Sequence, residues 1–200
     1  MSIKLLIKTD GVLPSGNNVL GYHGTSVEAV LELNSTGRLP NQGLKPGRFS
    51  MVHPHEGIDN VIWYATQIAV RHSLLHSLPF KVQNHHHILA AQSQVDPKLR
   101  AFGMGYYERY LREFMEFAKA YGIETNDILE TIRNGYRERR GCILTISKEM
   151  EEHFEKTFDD NGKMEFSTPD GVGVKYILAI HPLGNFEHSE LEEKLQLVEV

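Results

Sequence analysis

The sequence contains a single cysteine, Cys142, among 200 residues. One thiol cannot form an internal disulfide and cannot by itself bind a structural zinc ion, so a reducing compartment is expected. No apolar run approaches the length of about 18 residues that a membrane-spanning helix needs. The first eight residues contain five apolar ones, too few for the core of a signal peptide. We expect no membrane partner, and a location that is cytoplasmic or reached by delivery into another cell without a Sec signal.

An excess of basic residues is also lacking. The 21 Lys and Arg residues are outnumbered by 26 Asp and Glu, which gives a formal net charge of -5. Because proteins that bind phosphate backbones usually carry a basic patch, a nucleic-acid partner is not expected. With 40% hydrophobic and 24% charged residues, the composition is far from that of disordered proteins, and the length predicts a single domain over 1–200.

The first part of the chain combines short apolar runs with glycine-rich stretches. Residues 19–23 are predicted to form a strand. Thr25 and Glu28 have the spacing of a capping box, which predicts a helix that begins after Thr25 and ends near Leu33. Glycine and proline interrupt every periodicity over 37–60, so this stretch is predicted to be a long loop.

The middle of the chain changes from β-type to helical patterns. Residues 61–65 are predicted to form a strand, followed by a helix over 66–78. Residues 96–141 are predicted to form an inserted helical hairpin, because apolar side chains recur there at steps of three and four. These side chains are Tyr107, Tyr110, Leu111, Phe114, Phe117, Ala118 and Tyr121 in the first helix, and Ile128, Leu129, Ile132 and Tyr136 in the second.

The last part returns to strands. Residues 142–147 are predicted to form a strand, 148–157 a short acidic helix, and 163–180 two strands around a Thr-Pro-Asp-Gly turn. If that turn closes a three-residue hairpin loop, the two strands pair so that Glu165 lies directly opposite Lys175. The fold class is therefore expected to be α+β.

Eleven histidines raise the question of a metal site. Adjacent histidines point in different directions, and no cysteine or spaced carboxylate completes a tetrahedral set, so no metal site is expected. The candidates considered are His53 with His55, the i, i+4 pair His72 and His76, and the adjacent His85, His86 and His87.

The most specific motif is Gly-Tyr-His-Gly-Thr-Ser at residues 21–26. A predicted strand ends there in the imidazole of His23, Gly24 admits a close backbone approach, and a helix follows, which is a geometry that suits a ligand. The alternative is that His23 is a partly buried loop histidine and that Thr25 only caps the helix.

This motif, together with Val-Ile-Trp-Tyr-Ala at 61–65 and Lys-Tyr-Ile-Leu-Ala-Ile at 175–180, resembles the ADP-ribosyltransferase superfamily in its diphtheria-toxin and poly(ADP-ribose)-polymerase branch. The resemblance implies a split, strongly bent antiparallel β-core with peripheral helices that clasps NAD. It implies that His23 and the backbone of Gly24 hold the adenosine ribose and the nicotinamide amide. Tyr22, Thr25 and Arg38 complete the NAD contacts on this side.

The second family motif is altered here. The family's ring-stacking tyrosine falls on Trp63 if the strings are aligned without a gap, and Tyr64 follows it. On a strand these two side chains point to opposite faces, so only one can stack on nicotinamide. An indole stacks well on a cationic pyridinium, which favours Trp63. The alternative is that each is an aromatic residue of the core.

The third family motif departs most. The family glutamate that steadies the nicotinamide ribose and orients the nucleophile falls on Lys175, before Tyr176, and a lysine cannot accept those hydrogen bonds. Glu165 opposite Lys175 is a candidate replacement, which makes His23, Glu165 and Lys175 the catalytic candidates and Tyr176 a further NAD contact. Alternatively, Glu165 and Lys175 form only a surface salt bridge.

Three functions are compatible with these residues. The resemblance implies a transferase that moves a single ADP-ribose from NAD to an unknown protein acceptor. The second is an inactive pseudo-transferase that binds a partner through the helical insertion, which Lys175 favours. The third is an NAD-dependent RNA 2'-phosphotransferase, for which Arg38 and Arg48 lie in a suitable loop but which the acidic net charge disfavours.

Overall fold

The structure is a computed structural model, and in the part of the chain that it describes the strands form three small antiparallel sheets. The central sheet has the order β1-β4-β8, in which β1 is Val19–Ser26, β4 is Gly141–Ser147 and β8 is Ile177–Pro182. All seven residues of β4 are buried, as expected for a central strand that is covered on both faces. The structure describes residues 13–39, 50–52, 54, 61, 62, 65, 85–96, 99, 107–138, 141–158, 162, 164–168 and 171–183.

The two faces of the central sheet pack against different apolar clusters. Tyr22 and Ile143 share one face with residues 61, 62 and 65 and with a helix that follows them. Leu144 and Ile180 share the other face, together with residues of the two smaller ladders. A sheet with both faces buried in this way is the centre of the domain.

In the two smaller sheets, the last two predicted strands do not pair with each other. Strand β6, Met164–Thr168, pairs with β3, Ser50–Val52, and with β5, Glu155–Phe158, whereas β7, Val172–Gly173, pairs with β2, Arg38–Leu39. Gly171 does adopt a positive φ of 69°, but the chain leaves this turn toward a different strand. The predicted hairpin is therefore wrong. Strands β2 and β3 lie within the stretch 37–60, where the sequence predicted only loop.

Glu165 and Lys175 are consequently not opposite each other. Glu165 pairs with Thr157 of β5, and Lys175 lies in the short 3₁₀ helix Val174–Tyr176 that precedes β8. The predicted acidic helix over 148–157 is likewise shorter, because the 3₁₀ helix Lys148–His153 ends before β5 begins.

The first helix begins one residue later than its capping box predicts. Helix α1, Val27–Leu31, has Ser26 at its N-cap, where the side chain accepts a hydrogen bond from the backbone N–H of Ala29 at 3.2 Å. The reason is that β1 continues through Ser26, which pairs with Gly141 and keeps Thr25 extended. Helix α2, Leu33–Thr36, ends at Gly37, whose φ is 63°.

Three helices form what we call the helical unit: α3, His85–Val95; α4, Tyr107–Ala120; and α5, Thr125–Glu138. Gly122 at φ 72° ends α4, and the N–H of Ile123 donates to the carbonyl of Ala118 at 3.0 Å, as in a Schellman motif. The predicted hairpin is confirmed as α4 and α5. Helix α3 was not predicted, and it shares a core with them that consists of Ile88, Ala91, Phe114, Ala118, Ile128 and Ile132.

The predicted strand over 61–65 is wrong at its described positions, because Val61, Ile62 and Ala65 are helical. Trp63, Tyr64 and the predicted helix over 66–78 lie outside the described residues. A short apolar run carries no periodicity that separates a strand from a buried helical turn. The combination of helices with small antiparallel sheets makes the domain α+β.

Candidate functional site

The candidate site is built around the second half of β1, where successive side chains alternate between the two faces of the central sheet. Tyr22 points into one apolar cluster and is only 2% exposed. Its hydroxyl donates a hydrogen bond to the carbonyl oxygen of Pro14 at 2.9 Å, and burial raises the pKa of the phenol. The side chain of Tyr22 therefore belongs to the core, which leaves its backbone for the NAD contact predicted there.

His23 and Thr25 occupy the opposite face of β1. They pair with Leu144 and Cys142 of β4, and both are half-buried. This face also carries the cluster that joins the central sheet to the smaller ladders through Val52, Phe166 and Val172. The half-buried imidazole of His23 thus lies on the face of β1 that packs toward the smaller sheets.

Gly24 is in close contact with the segment 61–65. A Cβ added at Gly24 would lie 2.1 Å from the carbonyl oxygen of Val61 and 2.9 Å from the backbone N of Ala65. Any side chain at this position would displace the segment, so glycine is required here for packing. The structure brings together the first motif of the sequence and the segment that contains Trp63 and Tyr64.

Gly141, which the sequence analysis did not select, makes a matching contact. Its added Cβ would lie 2.1 Å from the carbonyl oxygen of Ala65. In the sequence, Gly141 is only the last residue of the helical hairpin predicted over 96–141. The sequence carries no signal for its contact with Ala65, which exists only in the folded chain.

Three further predicted residues meet at the β2–β7 ladder. Arg38 is exposed and pairs with Gly173, and the N–H of Val174 donates to the carbonyl of Gly37 at 2.9 Å. Lys175 is exposed, with its Nζ 4.7 Å from the centroid of the Tyr176 ring. The Tyr176 hydroxyl lies 3.2 Å from Nε2 of His153. Arg38, Lys175 and Tyr176 are therefore neighbours on one surface.

This surface is separated along the sheet from His23. His23 of β1 lies level with Ile180 of β8, because both pair with Leu144 of β4. Strand β8 begins at the level of Gly21, since the first residue of β8 and Gly21 both pair with Ile146. Lys175 comes before that start. The positively charged Lys175 therefore lies toward the beginning of β1, and His23 lies toward its end.

Glu165 is a buried carboxylate on β6, 5% exposed. Its neighbour Phe166 points into the cluster around Leu144 and Ile180, so Glu165 lies on the other face of its ladder, next to Thr157 across the strands. Its pairing with Lys175 is ruled out by the register, and its catalytic role stays a prediction.

The helical unit contains a polar network that the sequence analysis did not identify. Arg109 donates to Glu113 at 2.8 Å, and Nε2 of the buried His87 lies 3.3 Å from the other oxygen of the same carboxylate. Arg109, and then His87, lower the pKa of Glu113, while the carboxylate raises the pKa of Arg109. The available signal was the i, i+4 spacing of Arg109 and Glu113.

The same unit carries an exposed surface beside this network. Phe117 and Tyr121 of α4 are 41% and 55% exposed. A cavity of about 420 Å³ lies on another flank of α4, at the turn to α5, and is lined by both charged and apolar side chains, among them Arg112, Lys119 and Ile123. Exposed aromatic residues of this kind are common at protein-protein interfaces.

In the part of the chain that the structure describes, no group of three His, Cys, Asp or Glu is placed to hold a metal ion. His53, His55, His72 and His76 are not among those residues. None of the described helices is both long enough and apolar enough to cross a bilayer.

Comparisons with protein-family models, with curated proteins and with solved structures find no match for this chain. Its function must therefore be argued from the site itself.

Proposed function

We propose that this protein is an NAD-binding, ADP-ribosyltransferase-like enzyme that transfers a single ADP-ribose to an acceptor and releases nicotinamide. The observation that carries the proposal is the contact between Gly24 and the segment 61–65. The two strings that resemble the family's first and second motifs are far apart in the sequence, yet their backbones touch. His23 and Thr25 lie on the opposite face of β1 from this contact, so in this proposal NAD reaches both motifs around the end of the strand.

The proposed chemistry is cleavage of the bond between nicotinamide and its ribose. A nucleophilic atom of the acceptor forms a bond to the ribose carbon, nicotinamide leaves with the electron pair of the broken bond, and the acceptor gives up its proton. The chain's part is orientation of NAD and stabilisation of the charge that develops on the ribose. His23, the backbone of Gly24, and Thr25 would hold NAD, an aromatic ring from Trp63 or Tyr64 would cover nicotinamide, and Arg38 and Tyr176 would extend the site.

Glu165 stays the candidate for the carboxylate that stabilises the ribose, because it is buried and a buried carboxylate stabilises developing positive charge more strongly than an exposed one. Its face of β6 is turned away from the cluster beside His23, so this role requires NAD to reach the far side of that smaller sheet. We also propose that the three ladders are parts of the split, bent core of this superfamily, and that the protein acts in a cytoplasm, either its own or that of a cell into which it is delivered.

The second candidate function is an inactive pseudo-transferase that binds a protein partner. It is favoured by Lys175, which is exposed in a 3₁₀ helix and faces no carboxylate of β6. The helical unit, with the exposed Phe117 and Tyr121, would be the partner-binding part.

The deciding experiment measures free nicotinamide after the protein is incubated with NAD, alongside thermal unfolding with NAD, ADP-ribose or nicotinamide alone. An active transferase or glycohydrolase releases nicotinamide above the protein-free background, and His23→Ala lowers that release. NAD at about 100 times its dissociation constant should stabilise the fold by roughly 2.7 kcal/mol. A protein that NAD stabilises but that releases no nicotinamide supports the pseudo-transferase. An unfolding curve unchanged by millimolar NAD would exclude the proposed transferase.

A further inference from the structure

Gly24 and Gly141 lie two rungs apart on the β1–β4 ladder and therefore on the same face of the sheet. Gly24 pairs with Ile143, and Gly141 pairs with Ser26. The carbonyl oxygens of Val61 and Ala65 each occupy a position 2.1 Å from the Cβ that one of these glycines lacks. The backbones of Val61 and Ala65 therefore lie against both strands, Val61 and Ala65 at Gly24 and Ala65 at Gly141.

The helical unit covers the same segment from the other side. Val61, Ile62 and Ala65 are buried in one cluster with Leu89 and Ala90 of α3, and Tyr110 and Leu111 of α4 pack against that cluster. The segment is thus enclosed between the two glycines and the helical unit. Gly141 is the first residue of β4, the strand that follows α5 in the chain.

We propose that Gly141 is a positioning residue, and that together with α3 it fixes the segment 61–65 against the end of β1. The helical unit then sets the geometry of the nicotinamide subsite instead of serving only as a separate module. The effect on NAD rests on the function proposed above, whereas the positioning of the segment does not depend on it.

The first test compares Gly141→Ala with Gly173→Ala. The added Cβ at Gly141 forces the Ala65 carbonyl to move by about 1 Å or more to reach an ordinary contact, and a misplacement of that size near reacting groups costs on the order of 100-fold in rate. At Gly173 the nearest atom, on the Tyr176 ring, is 3.7 Å away and φ is −67°, so alanine fits. Trp63, the single tryptophan, lies within the segment and reports on it by fluorescence.

We expect Gly141→Ala to shift the emission maximum of Trp63 and to lower kcat/KM for NAD by on the order of 100-fold. Gly173→Ala should leave both at their wild-type values.

A second pair keeps the inference testable if Gly141→Ala does not fold. Leu89→Ala and Ile128→Ala each truncate a fully buried aliphatic side chain of the helical unit, but Leu89 packs in the cluster of the segment and Ile128 packs between the helices. Leu89→Ala should shift Trp63 emission and raise KM for NAD, whereas Ile128→Ala should lower only the melting temperature.

The outcomes separate this inference from the proposed function. Suppose that wild type turns over NAD, and that Gly141→Ala and Leu89→Ala, where they fold, show the same emission and kinetics as their controls Gly173→Ala and Ile128→Ala. The positioning role is then wrong and the proposed function stands. If wild type neither binds nor cleaves NAD, the proposed function fails, and the emission shifts alone decide whether Gly141 and α3 hold the segment.

Discussion

The hydroxyl of Tyr22 donates a hydrogen bond to the carbonyl oxygen of Pro14, 2.9 Å away and eight positions earlier in the chain. This bond ties the start of the described chain to the central sheet. It also explains why a tyrosine fits a site that is otherwise apolar, since a buried phenol needs a partner for its O–H group.

Tyr22→Phe should therefore destabilise the fold without weakening NAD binding. Loss of one such hydrogen bond costs about 0.5–1.5 kcal/mol, because the Pro14 carbonyl is left without its donor. Chemical denaturation and NAD-dependent thermal shifts measure the two effects separately. A large rise in the dissociation constant for NAD at unchanged stability would show instead that the phenol hydroxyl acts in binding.

Ser26→Ala and Thr25→Ala should have opposite consequences. Ser26 caps α1 through the N–H of Ala29, and loss of an N-cap costs about 1 kcal/mol. Thr25 shares the face of His23, so its alanine variant should weaken NAD binding while losing no cap. Denaturation curves and NAD titrations of the two variants provide the comparison. If Thr25→Ala proved the more destabilising variant, the assignment of Ser26 as the cap would be contradicted.

Glu113 should make the helical unit sensitive to acid. Arg109 and His87 lower the pKa of this carboxyl from its ordinary value of 4.5, so the stabilising interaction is complete above that pH and is lost as the pH falls through the lowered pKa. Glu113→Gln should therefore lower the melting temperature at neutral pH, and its curve should converge with that of wild type as the solution becomes strongly acidic.

Arg109→Met serves as the companion variant for this prediction. It removes the larger of the two causes of the lowered pKa. The melting temperature of this variant should therefore vary less than that of wild type between neutral and strongly acidic pH. A difference between wild type and Glu113→Gln that stays constant from neutral to strongly acidic pH would show that the carboxylate charge contributes nothing.

How far the sequence predicts this structure depends on the kind of pattern each element carries. The α4–α5 hairpin is predicted because Phe114, Ala118, Ile128 and Ile132 follow helical spacing beside exposed charged faces. Helix α3 is missed because every residue from 87 to 93 is buried, the polar His87, Gln92 and Ser93 included, so its polar and apolar residues do not divide into an exposed face and a buried face.

The prediction of strand pairing is wrong for a different reason. The partners of β6 and β7 include β2 and β3, which are only two and three residues long, so no alternation of apolar and polar residues marks them. The local Thr-Pro-Asp-Gly turn therefore predicted a hairpin between β6 and β7 that the long-range pairing replaces. At the candidate site, the motif around His23 was found from local chemistry, but Gly141 was not, since its contact with Ala65 exists only in the folded chain.

The last prediction concerns Glu165, which lies on β6, and Lys175, which lies in the 3₁₀ helix before β8, so that the two are not a cross-strand pair. Residues without a shared contact have additive effects on stability to within about 0.3–0.5 kcal/mol. A double-mutant cycle of Glu165→Gln and Lys175→Met should therefore show no coupling beyond that limit, and a larger coupling would restore the salt bridge that the register excludes. In the NAD assay, Glu165→Gln should lower turnover by on the order of 100-fold if this carboxylate stabilises the ribose, with Lys175→Met milder. If wild type is inactive, Lys175→Glu places a carboxylate at the position of the third motif, and nicotinamide release by that variant alone would identify Lys175 as the residue that silences the site.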